Sequence, residues 1–390
     1  MRIGFVGLAL WLSACAGESK KETETAASAK SDQTAVEPNY GPKADRALTG
    51  FARFISCMDL DSQLLASAPA DFSAKLNDQY AVLETYSDEK WDRLQSRVGK
   101  AIGTWVQEQP YSQNQEPKTL LYPFAGGDFY YGHLFNPRQD TIIMLGLETP
   151  GTLFDLTRYK TDTLTAYLKG LEKSLFFPHQ LGFFRTKSMA NDFQTTLLNG
   201  TLHTALYYMG RMGYEIHYIK GVSADKGLNF EGELGPESMG VRVGYSQFGV
   251  NDPIREWIYL SQDISNGGLQ TPKGQWVQSY LKSRGPVVSF FKAASYLLHE
   301  DYFSTIRDLC LDQSKRILQD DSGIPYSVLK EEGFAVRLLG EYHRTIPLFS
   351  NNLQEDLKQA YADQHPASLP FNVGYNAQFH ECNLQLATRP

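Results

Sequence analysis

The sequence predicts an α/β fold. The expected form is a single three-layer domain on a mixed, mostly parallel sheet, with an added N-terminal helical layer. Three observations lead there. Thr119–Pro123 and 141–147 are nearly continuous apolar runs, as expected of strands covered on both faces. About twenty residues separate their centres, which leaves room for a helix and makes a right-handed parallel crossover the default. Elsewhere apolar residues recur at helical spacing, and a later pair of alternating runs around Asn251-Asp252-Pro253 predicts a hairpin with an antiparallel portion.

The chain begins with an address. Arg2 gives a positive start, and Ile3 to Leu12 is an apolar run too short to span a bilayer as a stable helix. It ends Leu12-Ser13-Ala14-Cys15, which resembles a bacterial lipobox. That resemblance implies a signal peptide over 1–14, a diacylglyceryl group on the Cys15 sulfur, and acylation of the new amine. Two or more acyl chains hold a protein stably on a membrane. Ala16 rather than Asp after Cys15 leans the expected location toward the outer membrane. From 15 to 44 the chain is rich in Lys, Glu, Thr, Ala and Ser, with Tyr40 its only aromatic residue. Such a composition cannot bury enough apolar surface to offset ordering, so a disordered tether is expected.

Helical signals fill 45–110. Phe51, Ile55 and Met58 share one face, as do Leu76, Tyr80 and Leu83. Ser87 is a fitting N-cap for a helix with Trp91, Leu94, Val98, Ile102 and Trp105 on one side. The sheet-containing core is expected over 119–390. After strand 141–147 come helices at about 152–177 and 188–212, the second ending at Gly213. Tyr214–Val222 reads as a strand and 223–237 as a glycine-rich loop. Strands at 241–248 and 256–261 form the hairpin. A Gly/Asn-rich loop leads to helices at 290–299 and 302–311. Short strands follow at 316–319 and 334–339, then a helix at 353–362 and a closing strand in the tail. No internal repeat is present.

Composition excludes some functions. The net charge is −7, and no Lys/Arg run exceeds two residues, so nucleic acid is not an expected partner. Besides Cys15 there are Cys57, Cys310 and Cys382, enough for one bridge at most. Cys310 reads as a buried free thiol beside Ile306 and Leu309, while spacing alone leaves a Cys57–Cys382 bridge open.

The candidate chemistry lies at strand ends. Asp128 follows strand 119–123, Glu148 ends strand 141–147, Asp263 follows 256–261, and Asp320 and Asp321 follow 316–319. Open α/β sheets bind ligands beyond the carboxyl ends of their strands, so these five acids are expected to meet in one crevice. Gathered carboxylates hold a hard cation or divide acid and base roles. Each is also a good turn or cap residue, and Asp128 before Phe129 reads equally as an N-cap. His133, His299 and His343 sit in no zinc motif, and His299 reads as a helix-end histidine favoured by the dipole. Neither a GxSxG elbow nor a Walker loop occurs, and Ser322 reads as a turn serine. The sequence leaves the cofactor unspecified.

Two resemblances complete the reading. The segments Tyr122-Pro123-Phe124-Ala125-Gly126-Gly127-Asp128-Phe129, Gly146-Leu147-Glu148-Thr149-Pro150-Gly151, Lys292-Ala293-Ala294-Ser295-Tyr296-Leu297 and Gln319-Asp320-Asp321-Ser322-Gly323-Ile324-Pro325-Tyr326 together resemble a group of uncharacterised bacterial secreted proteins and lipoproteins. That implies one unit over 119–390 and transfers no catalytic residues. The strand, Phe124-Ala125-Gly126-Gly127-Asp128, helix, strand and Glu148 series resembles the start of a Rossmann unit and the first motif of class I methyltransferases. Its glycines are adjacent rather than in a GxGxxG pattern, so this implies fold ancestry and not activity. The expected protein is thus an envelope lipoprotein with an enzyme-like crevice, or a non-catalytic binding or assembly lipoprotein using exposed Tyr, Phe and Trp. Its small-molecule or envelope partner is unspecified by the sequence.

Overall fold

The computed structural model describes residues 43–58, 70–112, 116–182, 197–250, 252–379 and 381–389. The signal segment, Cys15 and nearly all of the expected tether lie outside the described residues, as do Met189 and Phe193 of the expected 188–212 helix.

The protein is α/β, with a ten-stranded mixed sheet and twelve α-helices among the described residues. The strands are β1 Thr119–Pro123, β2 Thr141–Gly146, β3 Tyr214–Ala224, β4 Leu228–Gly232, β5 Gly240–Gln247, β6 Arg255–Ser261, β7 Val287–Phe291, β8 Ser314–Gln319, β9 Ala335–Gly340 and β10 Asn383–Thr388. Their order is β4-β3-β5-β6-β2-β1-β7-β8-β10-β9. The central five, β6-β2-β1-β7-β8, are parallel through four ladders. The flanks contribute five antiparallel ladders. The expectation of a mostly parallel sheet is therefore corrected: the antiparallel ladders of the two flanks outnumber the parallel ladders of the centre.

Alternation along the central strands sorts side chains into two cores. Leu120, Tyr122, Ile142, Met144, Trp257, Tyr259, Val288 and Phe290 belong to one. Leu121, Ile143, Leu145, Ile258, Leu260, Val287, Phe291 and Ile317 belong to the other. The first core takes in helices α1 Arg46–Ile55, α2 Ala70–Leu94, α3 Lys100–Glu108, α4 Phe129–Phe135, α5 Thr161–Ser174 and α7 Thr201–Arg211. Helix α6 spans Phe176–Leu181. The second core takes in α8 Asn266–Gln270, α9 Pro272–Ser283, α10 Ser304–Gln313 and α11 Tyr326–Glu331. Helix α12, Glu355–Gln364, packs through Leu357 and Tyr361 on a smaller cluster with Tyr326, Leu338 and Tyr342.

Several local expectations change. Ser87 caps nothing: α2 runs through it and passes by a π turn, Gln95–Gly99, into α3. The Ser87 hydroxyl instead meets Tyr207 Oη at 3.0 Å in a buried contact. The expected 152–177 helix begins later, because Gly151 takes a φ of 84° and Asn199 Oδ1 accepts from the Thr152 amide at 2.9 Å. Edge strand β4 lies inside the expected 223–237 loop.

The largest change concerns 290–299. It is not a helix. Phe290 and Phe291 end β7, a strand inside the parallel block between β1 and β8, and only Leu297–His299 form a short 3-10 turn. Phe290, Ala294 and Leu297 mimic a helical face, but Gly285-Pro286 before Val-Val-Ser-Phe-Phe is the punctuation of a short buried strand. Ser289, the one polar residue of β7, satisfies its hydroxyl on Ser314 at 2.7 Å. Cys57, Cys310 and Cys382 are all free and buried, so there is no Cys57–Cys382 bridge.

Candidate functional site

The parallel strands β1, β2, β6 and β7 end on one cleft of about 610 Å³. Turns 124–128, 146–148, 262–264 and 292–297 form most of it, and 346–349 with Tyr375 supply the far wall. The β1 turn is tight: Phe124 and Gly126 both take positive φ, 59° and 53°, and the Ala125 amide bonds to Leu145 O at 3.0 Å. After β7, Ala293, Ser295 and Tyr296 also have φ between 51° and 57°. Non-glycine residues in this region carry backbone strain, which concentrates at ligand sites.

That loop is held from below by two of the predicted acids. Asp320 Oδ2 accepts from the Ala293 amide at 2.8 Å, and its other oxygen accepts from the Ser322 amide at 3.0 Å. Ser322 Oγ accepts from the Ala294 amide at 2.7 Å. Asp321 accepts from the Tyr296 hydroxyl and from Asn383 Nδ2 at 2.8 Å. Both acids are buried and neither lines the cleft. Burial raises the pKa of both, and the neighbouring charge of Asp320 helps push Asp321 to about 7. They are scaffold groups, and their place in the expected crevice is corrected: the tight turn after β8 points them at the β7 loop.

Asp128, Glu148 and Asp263 do line the cleft. Asp128 occupies the N-cap position of α4 but makes no capping hydrogen bond. Its Oδ2 accepts from Tyr122 Oη at 2.6 Å and faces Lys292 Nζ at 2.9 Å. This ion pair is almost wholly buried. Oδ1 accepts no well-formed hydrogen bond, although the Tyr131 backbone amide also favours the carboxylate. Burial raises the Asp128 pKa, against the pull of the Lys292 ammonium. Lys292 also donates to Gly182 O and stands 4.2 Å from the centre of the Tyr131 ring.

Glu148 is buried, and Tyr259 Oη approaches both its carbonyl, at 2.8 Å, and its Oε2, at 3.3 Å. Gly146 makes room for this fold-back: a methyl there would stand 2.6 Å from Tyr259 Oη and 2.8 Å from Glu148 Oε2. Asp263 is exposed, and its Oδ1 accepts from the Ser265 amide at 2.9 Å, a turn role that leaves it on the rim.

Apolar side chains complete the walls. Phe124 meets Phe303 edge-on at 5.4 Å, and Phe349 lies 5.1 Å from Tyr375. Leu147 and Leu348 project from the rim, 66% and 79% exposed. Ser295 Oγ lies 3.1 Å from Tyr375 Oη, whose hydroxyl donates to Ala293 O at 2.8 Å.

The remaining predicted residues are elsewhere. His133 is buried in the first core, with Nε2 2.7 Å from Tyr214 Oη, and burial lowers its pKa to about 3. His299 ends a 3-10 turn rather than a dipole-bearing helix, and burial lowers its pKa to about 4, which favours the neutral ring over a charged helix-end group. His343 is exposed beside Glu341. Among the described residues no three His, Cys, Asp or Glu side chains gather into a metal-holding group. Among the described residues no histidine or cysteine lines the cleft, so the lining serine, Ser295, has no imidazole base there.

Sequence reasoning missed Lys292 as a site residue because its segment read as a helix. The signal was present: a lysine directly after a buried strand, flanked by small residues, is placed like the acids after the neighbouring strands. Comparison with protein-family models, curated proteins and solved structures gave no match.

Proposed function

We propose that this is a lipid-anchored lipoprotein of the bacterial cell envelope whose α/β domain binds a small molecule in the cleft beyond β1, β2, β6 and β7. The observation that carries the binding reading is the cleft itself. It has the size of small-molecule sites, is walled by apolar groups, and has convergent polar groups on a desolvated floor. The Cys15 lipobox carries the anchoring, and the outer membrane is the favoured location. A three-layer architecture with a Rossmann-like β1–α4–β2 start fits the two cores and places such a cleft where open α/β sheets hold ligands.

Binding is favoured over catalysis because, among the described residues, the lining serine has no imidazole base and the lining amine, Lys292, is held in a buried ion pair with Asp128. A flat aromatic docking patch is disfavoured. Phe129, Tyr130, Tyr131, Phe135, Tyr245, Trp257 and Tyr259 are all buried, and Phe248 alone among the aromatics of 245–260 is exposed.

Nile red, a neutral apolar fluorophore, tests the cleft. Its emission is expected to rise with the full chain carrying Cys15→Ala and to fall back in Leu147→Asp/Leu348→Asp, whose exposed positions leave the fold intact. Equal emission from both proteins contradicts a cleft-bound ligand. Palmitate incorporation by the natural chain, lost in Cys15→Ala, tests the anchor.

A further inference from the structure

We propose that the cleft is selective for an amphipathic cation: an organic ammonium on an apolar body. This deepens the small-molecule reading above and rests on it.

The charge census of the walls points one way. Asp128, Glu148, Asp263 and Lys292 are the carboxylates and cation lining the cleft. Lys292 is already engaged on three sides, by the Asp128 carboxylate, Gly182 O and the Tyr131 ring. Glu148 and Asp263 make no ion pair among the described residues. Whether Asp128 holds a proton or not, the lining carries excess negative charge. Asp128 adds an independent sign. It is 2% exposed, and its Oδ1 lacks a well-formed hydrogen bond. Such a group favours a donor arriving from the cleft, because leaving a buried acceptor unmet is costly.

The geometry separates head from body. Glu148 lies buried at the end of β2, in a setting where a charge–charge contact is much stronger than in water. Phe124, Phe303, Leu297 and Leu348 supply apolar wall for the rest of the molecule, and aromatic faces tolerate a cation. An anion of the same shape would meet Glu148 and Asp263 without a free counter-charge.

The test uses three probes with one chain and different heads, n-octylammonium, n-octanol and n-octanoate, titrated by calorimetry into the full chain carrying Cys15→Ala. Octylammonium is expected to bind at least about tenfold more tightly than octanoate, with octanol between them. Glu148→Gln is expected to shrink the preference for ammonium over octanol severalfold. Asp263→Asn, at an exposed position where the amide oxygen keeps the turn, is expected to shrink it less and guards against a folding defect in the first variant. Equal binding of all three probes, or tighter octanoate, overturns the charge selectivity and leaves the cleft reading standing. Binding of none removes both. A preference untouched by either substitution also overturns the proposal.

Discussion

The Lys292–Asp128 pair sets the first residue-scale test. Both side chains are out of water and each compensates the other. Removing one partner from a buried pair leaves an uncompensated charge and costs about 3–5 kcal/mol, whereas replacing both with apolar or neutral groups is often near neutral. Lys292→Met is therefore expected to lower unfolding free energy by about 3–5 kcal/mol in urea. The Lys292→Met/Asp128→Asn double variant is expected to recover most of that loss. Additive losses would show that the two groups do not act as a pair. Asp321 gives a test in pH. Its folded-state value, raised to about 7, lies above the ordinary aspartate value of about 3.9. The folded protein thus keeps a proton that the unfolded chain has released, so this contribution is fully present below about pH 4 and lost as pH rises through 7. The melting temperature of Asp321→Asn relative to the natural protein is expected to climb between pH 4 and 7 and then level. A difference constant across that range contradicts a raised pKa. Of the five acids, Asp128, Glu148 and Asp263 were legible as cleft residues because they directly follow parallel strands. Asp320 and Asp321 follow one too, but hydrogen bonds from a loop invisible in the sequence turn them inward.

At the scale of elements, the loop after β7 decides the cleft. Ala293 sits at φ 51°. A left-handed L-residue costs about 1–2 kcal/mol, and glycine returns part of the gain through unfolded-chain entropy. Ala293→Gly is expected to stabilise by about 0.5–1 kcal/mol, measured by chemical denaturation. Destabilisation would show that the methyl, not the backbone, is what the site uses. Gly146→Ala is expected to cost about 1–3 kcal/mol, since its methyl collides with Tyr259 Oη and the Glu148 carboxylate. A neutral effect would mean that Glu148 is not held folded back. Elements with long or uninterrupted patterns were legible: β1, β2, the β5–β6 hairpin, and the stripe of Leu94, Val98, Ile102 and Trp105. β7 was not. Five residues are too few to separate strand from buried helix by period alone, and the choice belongs to its neighbours β1 and β8. Helix α9 was missed although Thr271 and Pro272 supply its N-cap and first turn, because the glycines before them read as loop.

For the whole molecule, sheet order does what no single segment announces. β1 pairs with β2 on one side and with β7 on the other, so the turns after Pro123, Gly146 and Phe291 share one carboxyl edge. Long-range pairing of this kind is set by global packing of the two cores, and local sequence carries little of it. The class of fold and the antiparallel portion were legible from periodicity and turns, whereas the balance of parallel and antiparallel ladders was not. The proposed occupant of the cleft on this edge is an organic ammonium. Ser295 is exposed on its wall, and burial holds the thiols of Cys57, Cys310 and Cys382 up to about 12, which keeps them unreactive at neutral pH. In the full chain carrying Cys15→Ala and Ser295→Cys, the rate of N-ethylmaleimide labelling is the most direct measurement. Octylammonium is expected to slow labelling at position 295 several-fold, in a saturable way, while octanoate leaves it unchanged. A labelling rate indifferent to octylammonium at every concentration would contradict the claim.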